Sequence, residues 1–307
     1  MNKAVVYVGV DVSKAYLDVA WAEPSRRFAN NKSGLSALMK WIQQSPVHLI
    51  CEASGGYERG LLEAAEQNAI KLSLVQANRV RQYARAAGIL AKTDKVDARV
   101  LCAFGSALQP KPLAPLSAQQ KQLRELETQR RHYSRMLTAE QNRLAQLNDK
   151  ELRRLTRSLL AALKKQMAAI DARIATLIAQ DRALDEKAQK LTSIVGVGTR
   201  TAVLLLAQMP ELGTLNRAQV AALAGLAPFN RDSGTLRGKR TIFGGRRALR
   251  SGMYMAALVA ARRNRILRDF YQRLRTRGKP HKVALTAVMR KLLLALNHTL
   301  KPTACFA

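Results

Sequence analysis

The segment QPKPLAP at residues 109 to 115 separates two stretches whose hydrophobic periods cannot belong to one layer of structure. Its prolines withhold backbone donors from a helix or a central strand, so the unit before it has to close there. Upstream, apolar residues come in short alternating runs. AVVYVGVDV (4 to 12) and LDVAWA (17 to 22) read as two strands joined by a short turn, and RRFAN (26 to 30) as a third. SGLSALMKWIQQ (33 to 44) has helical spacing behind a cap at Ser33, and HLICEA (48 to 53) returns to strand. GGYERGLLEAAEQNA (55 to 69) reads as a helix, LSLVQA (72 to 77) as a last strand, and NRVRQYARAAG and DKVDARVLCAFG as helices. Three strands followed by strands alternating with helices predict an α/β layer fold.

Downstream the period lengthens. Leu123, Leu126, Tyr133, Leu137, Leu144 and Leu147 recur mostly at three, four or seven, as do Leu152, Leu155, Leu159, Leu163, Met167, Ile170, Ile174 and Leu177. A turn at Asn148, Asp149 and Lys150 folds this region into an antiparallel helical pair. A hairpin of this kind leaves its apolar stripe exposed when alone, which suggests dimerisation through it. The last segment opens with LTSIVGVGTRTAVLLLAQM (191 to 209), where Gly196 and Gly198 lie between apolar helices. A Gly turn at a helix N-terminus can present backbone N–H groups to a phosphate. AQVAALAGLAPFN follows as helix and turn, then the loop RDSGTLRGKRTIFGG, then the helices RRALRSGMYMAALVAARR and HKVALTAVMRKLLLALNHTL. The reading is a mixed α/β domain at 1–112, a helical hairpin or coiled coil at 113–190 and a mainly α domain at 191–307.

Charge narrows the partner. The chain carries 52 Lys and Arg against 21 Asp and Glu, a formal net charge of +31. Residues 1–115 hold 15 basic and 9 acidic side chains, residues 116–190 hold 16 and 9, and residues 191–307 hold 21 and 3. The last third is therefore the strongest candidate for gripping phosphates, with nucleic acid as the leading partner. The Arg-rich run 262–277 reads as backbone contact without a base-reading code. No apolar run approaches the ~18 residues of a spanning helix, so a membrane partner is not expected. Cys51, Cys102 and Cys305 show no CxxC or Cys/His spacing, and the N-terminus has no signal-peptide pattern. A reducing cytosol is the expected setting.

Against so basic a background, four acids sit at particular places. Asp94 and Asp97 are one turn apart at the start of a helix, where a role at the positive end of its dipole is the plain structural explanation. Asp11 lies inside the apolar strand VGVDV and Glu52 ends the strand LICEA. A lone carboxylate buried among apolar side chains is expensive unless neutralised, and nothing local in either strand supplies a cation. A shared divalent metal would serve all four, since hard cations take carboxylate oxygens and two of them ~4 Å apart can activate a nucleophile and stabilise a leaving oxygen.

VGVDVSKAYLDVA, CEASGGYE and KTDKVDARVLCAF, in that order, resemble the DEDD tetrad of RuvC-like nuclease domains of the ribonuclease H superfold. They are most similar to the version in transposases of insertion-sequence family one hundred and ten, which includes the Piv-type DNA invertases. The run from LTSIVGVGTRTAVLLLAQM through AALAGLAPFNRDSG to LRGKRTIFGGRRALRSGMYMAA resembles the second domain of the same family. One departure is that Val195 stands where the family's glycine turn usually has proline. The resemblance implies a ribonuclease H-like (RuvC-like) N-terminal fold and Mg²⁺, with Mn²⁺ as substitute, at Asp11, Glu52, Asp94 and Asp97.

It further implies that Ser233, in RDSG, is a nucleophile that becomes joined to DNA. Around it Arg231, Arg237, Lys239, Arg240, Arg246, Arg247 and Arg250 could hold a phosphate and stabilise its transition state, with Gly196 and Gly198 as backbone contacts. A serine hydroxyl needs an activating base, and the loop holds no His, so the metal-bound acids are the candidate activator. The implied partners are donor and target DNA, a structured guide (bridge) RNA, and copies of the chain assembling as dimers of dimers into a tetramer. Two other readings remain open: a junction-resolving nuclease that uses water, with Ser233 in an ordinary turn, and a non-catalytic architectural protein.

Overall fold

A computed structural model describes residues 5–21, 25–42, 46–91, 93–230, 232–238 and 240–301. Two compact units divide the chain, Met1–Pro115 and Leu116–Ala307.

The first unit is built on β1 (Val6–Val12), β2 (Tyr16–Ala20), β3 (Arg26–Ala29), β4 (Val47–Glu52) and β5 (Lys71–Val75). They form one mixed sheet of order β3-β2-β1-β4-β5, in which β1, β2 and β3 are antiparallel neighbours and β4 and β5 run parallel to β1. The period of two sorts the side chains onto two faces. Val8, Val10, Leu17, Val19, Leu49 and Cys51 enter one core together with residues of α1 (Lys32–Ile42) and α2 (Arg59–Gln67). Ile50 and Val75 enter another with α3 (Ala77–Ala86) and α4 (Asp94–Leu108).

Two glycines let α4 lie against the strands. A Cβ on Gly9 would overlap the carbonyl of Ala98 and the amide of Cys102, and one on Gly105 would press on Ile50 and Tyr7. Thr93 caps α4 by accepting a hydrogen bond from Val96 N at 3.4 Å. The proline-rich segment is no free linker at its start. Ser73 Oγ donates to the carbonyls of Pro110 and Lys111, and Leu113 N donates to Leu72 O, so the segment covers the edge of β5.

The second unit is mostly helical. α5 (Ala118–Gln146) and α6 (Lys150–Gln180) pair as a hairpin, with Asp149 capping α6 where the sequence suggests a turn. Only its base enters the main core: Leu123, Leu126, Ile174, Leu177 and Ile178 pack with α7 (Arg182–Thr192), α8 (Thr199–Gln208), α9 (Arg217–Leu223), α10 (Arg247–Arg263) and α12 (His281–Thr299). Toward the tip Leu152, Leu155 and Leu159 are exposed. The break between α6 and α7 is absent from the sequence reading. Asp181 makes it, accepting hydrogen bonds from the N–H groups of Ala183 and Leu184. Asn264 follows α10 where the sequence places a helix end, and caps α11 (Arg265–Thr276), a helix absent from the sequence reading.

Candidate carboxylate centre and serine hairpin

Asp11, Glu52, Asp94 and Asp97 come to one end of the first unit's sheet, on the face covered by α4. β1 and β4 run parallel with Val10 opposite Cys51, which leaves Asp11 and Glu52 at the same end of adjacent strands. α4 begins there, bringing Asp94 and Asp97 in its first turn. Electrostatics show how closely the acids converge. Burial pushes the Asp11 carboxyl up to about 6, and the charges of Asp97, Glu52, Asp94 and Asp18 add to the effect in that order. Glu52 and Asp97 also line a cleft of about 280 Å³ with Asn78, Arg81 and the apolar side chains of α3 and α4.

The fifth acid, Asp18, escapes the sequence reading. It stands directly opposite Asp11 across the β1–β2 pair and is buried, 4% exposed. Both of its oxygens accept from Arg27, at 3.0 and 2.9 Å, and Arg27 Nη2 reaches Asp94 Oδ2 at 3.2 Å. The signal was present, since Asp18 interrupts an apolar strand as Asp11 does, but the register that sets the two side by side is not a local property. Glu58, in the motif CEASGGYE, has a structural task. Although burial favours its neutral form, hydrogen bonds from Ser54 Oγ and the N–H groups of Gly56 and Ser54 hold its pKa below the usual carboxylate value. It thereby closes the loop that follows Glu52.

The donor set suits a hard divalent cation: oxygen ligands only, with Asp11's neutral form favoured by burial and by like charges that a metal would offset. As the side chains stand, no three acids among the described residues close a coordination shell.

The serine lies in the second unit on a small hairpin that the sequence leaves as a loop. β7 (Asp232–Ser233) pairs with β8 (Leu236–Arg237), nested inside the pairing of β6 (Pro228–Phe229) with β9 (Thr241–Ile242). Gly234, at φ 55°, supplies the left-handed residue of the two-residue turn after Ser233. Ser233 is exposed. Its neighbour Asp232 accepts from Arg240 Nη1 at 2.6 and 2.8 Å and from Gly238 N at 3.1 Å, which lowers the Asp232 pKa and ties the hairpin together. At the base, Gly225 and Gly245 touch backbone to backbone, so a side chain on either would collide.

The cations expected around the serine have unequal tasks. Arg231 and Lys239 lie outside the described residues, as does the side chain of Arg237. Arg240 is paired with Asp232. Arg246 donates to Gln208 O at 2.7 Å and to both oxygens of Glu211 at 2.9 and 2.7 Å, so it anchors the entry to α10. Arg250 donates to Gly244 O at 2.7 Å, while Arg247 is exposed. Gly196, at φ 107°, is pressed against Ala260, and Gly198 begins α8 with open space around it.

Comparison with known proteins gives this arrangement its class. Residues 8–152 match a family model described as a transposase, the DEDD domain of IS110 elements, and residues 188–272 match the transposase family IS116/IS110/IS902. The chain is thus a transposase of the DEDD class. The pilin gene-inverting protein of Moraxella bovis is 32% identical over 300 residues, covering 94% of this chain and 93% of that protein. Its counterpart in Moraxella lacunata is equally similar, at 32% over 300 residues. A 43.6 kDa protein of insertion element IS110 from Streptomyces coelicolor is 35% identical over 142 residues, 45% of this chain and 34% of its own length. The chain belongs to the IS110 family. No helix among the described residues is long and apolar enough to cross a membrane.

Proposed function

We propose that this chain cuts and rejoins DNA strands through a serine–DNA intermediate, assisted by a divalent metal at Asp11, Glu52, Asp94 and Asp97. The observation that carries the metal half is the placement of Asp11 and Glu52 at the same end of parallel neighbouring strands beside the first turn of α4, which carries Asp94 and Asp97, with Arg27 in contact with Asp94. The sheet order, with β2 antiparallel between β3 and β1, supports a ribonuclease H-like, RuvC-like reading of this unit. Mg²⁺ is the expected ion and Mn²⁺ its substitute; when bound, it would polarise the phosphodiester and neutralise charge in the transition state. The acids position it, and a carboxylate of the cluster is a candidate acceptor for the serine proton.

Ser233 Oγ would form a bond to phosphorus as the bond to the leaving sugar oxygen breaks. The phosphodiester energy is kept in the serine ester, so the reverse attack by another strand's hydroxyl rejoins DNA without a nucleotide cofactor. Exposure of Ser233 on a tied hairpin supports this role, because a nucleophile for duplex DNA has to be reachable. The relatives named for pilin gene inversion support recombination as the outcome. Donor and target DNA are then the substrates, and the exposed Arg247 and the glycine turn before α8 are phosphate contacts. A structured bridge RNA as guide, and a homodimer that becomes a tetramer on DNA, complete the reading on family resemblance. The exposed leucines at the hairpin tip support self-association. In this scheme residues 1–112 form the metal domain, 113–190 the assembly hairpin and 191–307 the serine domain.

Strand exchange in Mg²⁺ or Mn²⁺ tests the metal half. Glu52→Gln and Asp97→Asn are expected to abolish it while retaining nucleic-acid binding; exchange that survives in EDTA contradicts it. Loss of exchange on ribonuclease treatment of the purified particle, restored by adding back its RNA, tests the guide.

A further inference from the structure

We infer that Asp18 and Arg27 form a positioning pair that holds Asp94 in the carboxylate cluster, an inference that rests on the metal reading above. Two cross-strand steps build it. Asp11 on β1 faces Asp18 on β2, and Asp18 faces Arg27 on β3, so one row of the sheet reads Asp, Asp, Arg. Like charges directly opposite each other destabilise a strand pair, and burial removes the water that would screen them. Arg27 resolves the conflict through a bidentate fork onto Asp18. The guanidinium is also braced over the Tyr16 ring, 5.0 Å from its centroid.

Fixing the fork fixes its free edge. Arg27 Nη2 has two hydrogens; one serves Asp18 Oδ2 and the other Asp94 Oδ2. The Asp94 side chain is 64% exposed and opens α4, where without a partner it would sample several rotamers. Its contact with Arg27 limits that freedom. Stability alone does not explain the arrangement. The β2 neighbours Leu17, Val19 and Ala20 are apolar and buried, and a buried ion pair is commonly no better than an apolar replacement of similar volume. What the pair adds is an orientation for a carboxylate from another element. Both Asp18 oxygens accept from Arg27, so Asp18 acts on Asp94 through that arginine.

Mn²⁺ binding to the full-length, metal-free protein, measured by electron paramagnetic resonance, tests this apart from catalysis. Partners that orient metal ligands are typically worth about 10- to 100-fold in affinity. Arg27→Ala is expected to weaken Mn²⁺ binding by about 10-fold, and Asp18→Asn by less, since it loosens the fork but keeps the cation. Arg27→Lys, which keeps the charge without the fork, is expected to recover only part of the loss and guards against misfolding of the alanine variant. In an Asp94→Asn background, Arg27→Ala is expected to change affinity by less than about twofold. Unchanged or tighter Mn²⁺ binding in both Arg27 variants overturns the inference and leaves the metal site standing. A wild-type protein that binds no Mn²⁺ overturns the metal reading itself.

Discussion

The carboxylate centre and the serine hairpin solve opposite problems with the same few residue types. Asp11, Asp18 and Glu52 sit on strands whose other side chains are mostly core, and the glycine-mediated approach of α4 sets where Asp94 and Asp97 stand. Ser233 sits on an exposed two-residue strand, held by one Asp–Arg pair and a glycine contact at its base. The proposed cation site needs several like charges fixed near one another, and a packed core can impose that against their repulsion. The proposed nucleophile needs access for a large substrate, and a tied surface hairpin gives it.

The contrast can be broken most severely at Asp11. Asp11→Asn is expected to lower strand exchange by roughly 10²- to 10³-fold or more. In EDTA at pH 8 the same variant is expected to melt at a higher temperature than wild type. The Asp11 pKa is raised from 3.8 to about 6, so its native state holds a proton more tightly than the unfolded chain does. Ionising Asp11 therefore reduces stability as pH rises from about 4 to 6, and the gain from Asn should fade as pH falls back through that window. Equal melting temperatures at pH 8 would contradict the crowding of charge around Asp11.

Alanine at two glycines compares the regions directly. Gly9→Ala forces α4 off β1 and is expected to cost about 1–3 kcal/mol, with weakened Mn²⁺ binding. Gly234→Ala meets no atom within 4 Å and bears only the strain of its positive φ, about 1 kcal/mol. Thermal melts of the pair check the order, and a larger loss at Gly234 reverses it. Mn²⁺ affinity of the wild type is expected to rise as pH increases through about 6, because a cation binds the deprotonated Asp11. A flat titration between pH 5 and 7 removes Asp11 from the site. The smallest effect belongs to Arg247→Ala, expected to reduce the slope of log affinity against log salt by about 1. An unchanged slope takes Arg247 off the phosphate surface.

These regions also differ in how far the sequence discloses them. Asp11, Glu52, Asp94 and Asp97 are legible because each violates or punctuates a local period: an acid in an apolar strand, an acid at a strand end, two acids one turn apart. Asp18 breaks the same rule, yet its pairing with Arg27 depends on strand register, and its closeness to Asp11 appears only once the sheet is formed. Arg246 looked like a phosphate ligand in a basic loop and proves to be engaged by Glu211 and the Gln208 carbonyl. Composition counts charges but not their partners. The break at Asp181 is not legible because the helical apolar period continues across it and a single capping side chain makes the turn, and α11 is hidden by its arginines, which read as a basic cluster.

The proposed reaction uses both regions, and a denaturing gel of protein with nicked substrate DNA, co-purified RNA and Mg²⁺ tests that union most directly. A covalent adduct is expected for wild type, absent in Ser233→Ala and in Asp11→Asn. Cleavage that leaves no adduct in any of the three would contradict it and point to hydrolysis by water at the carboxylate centre.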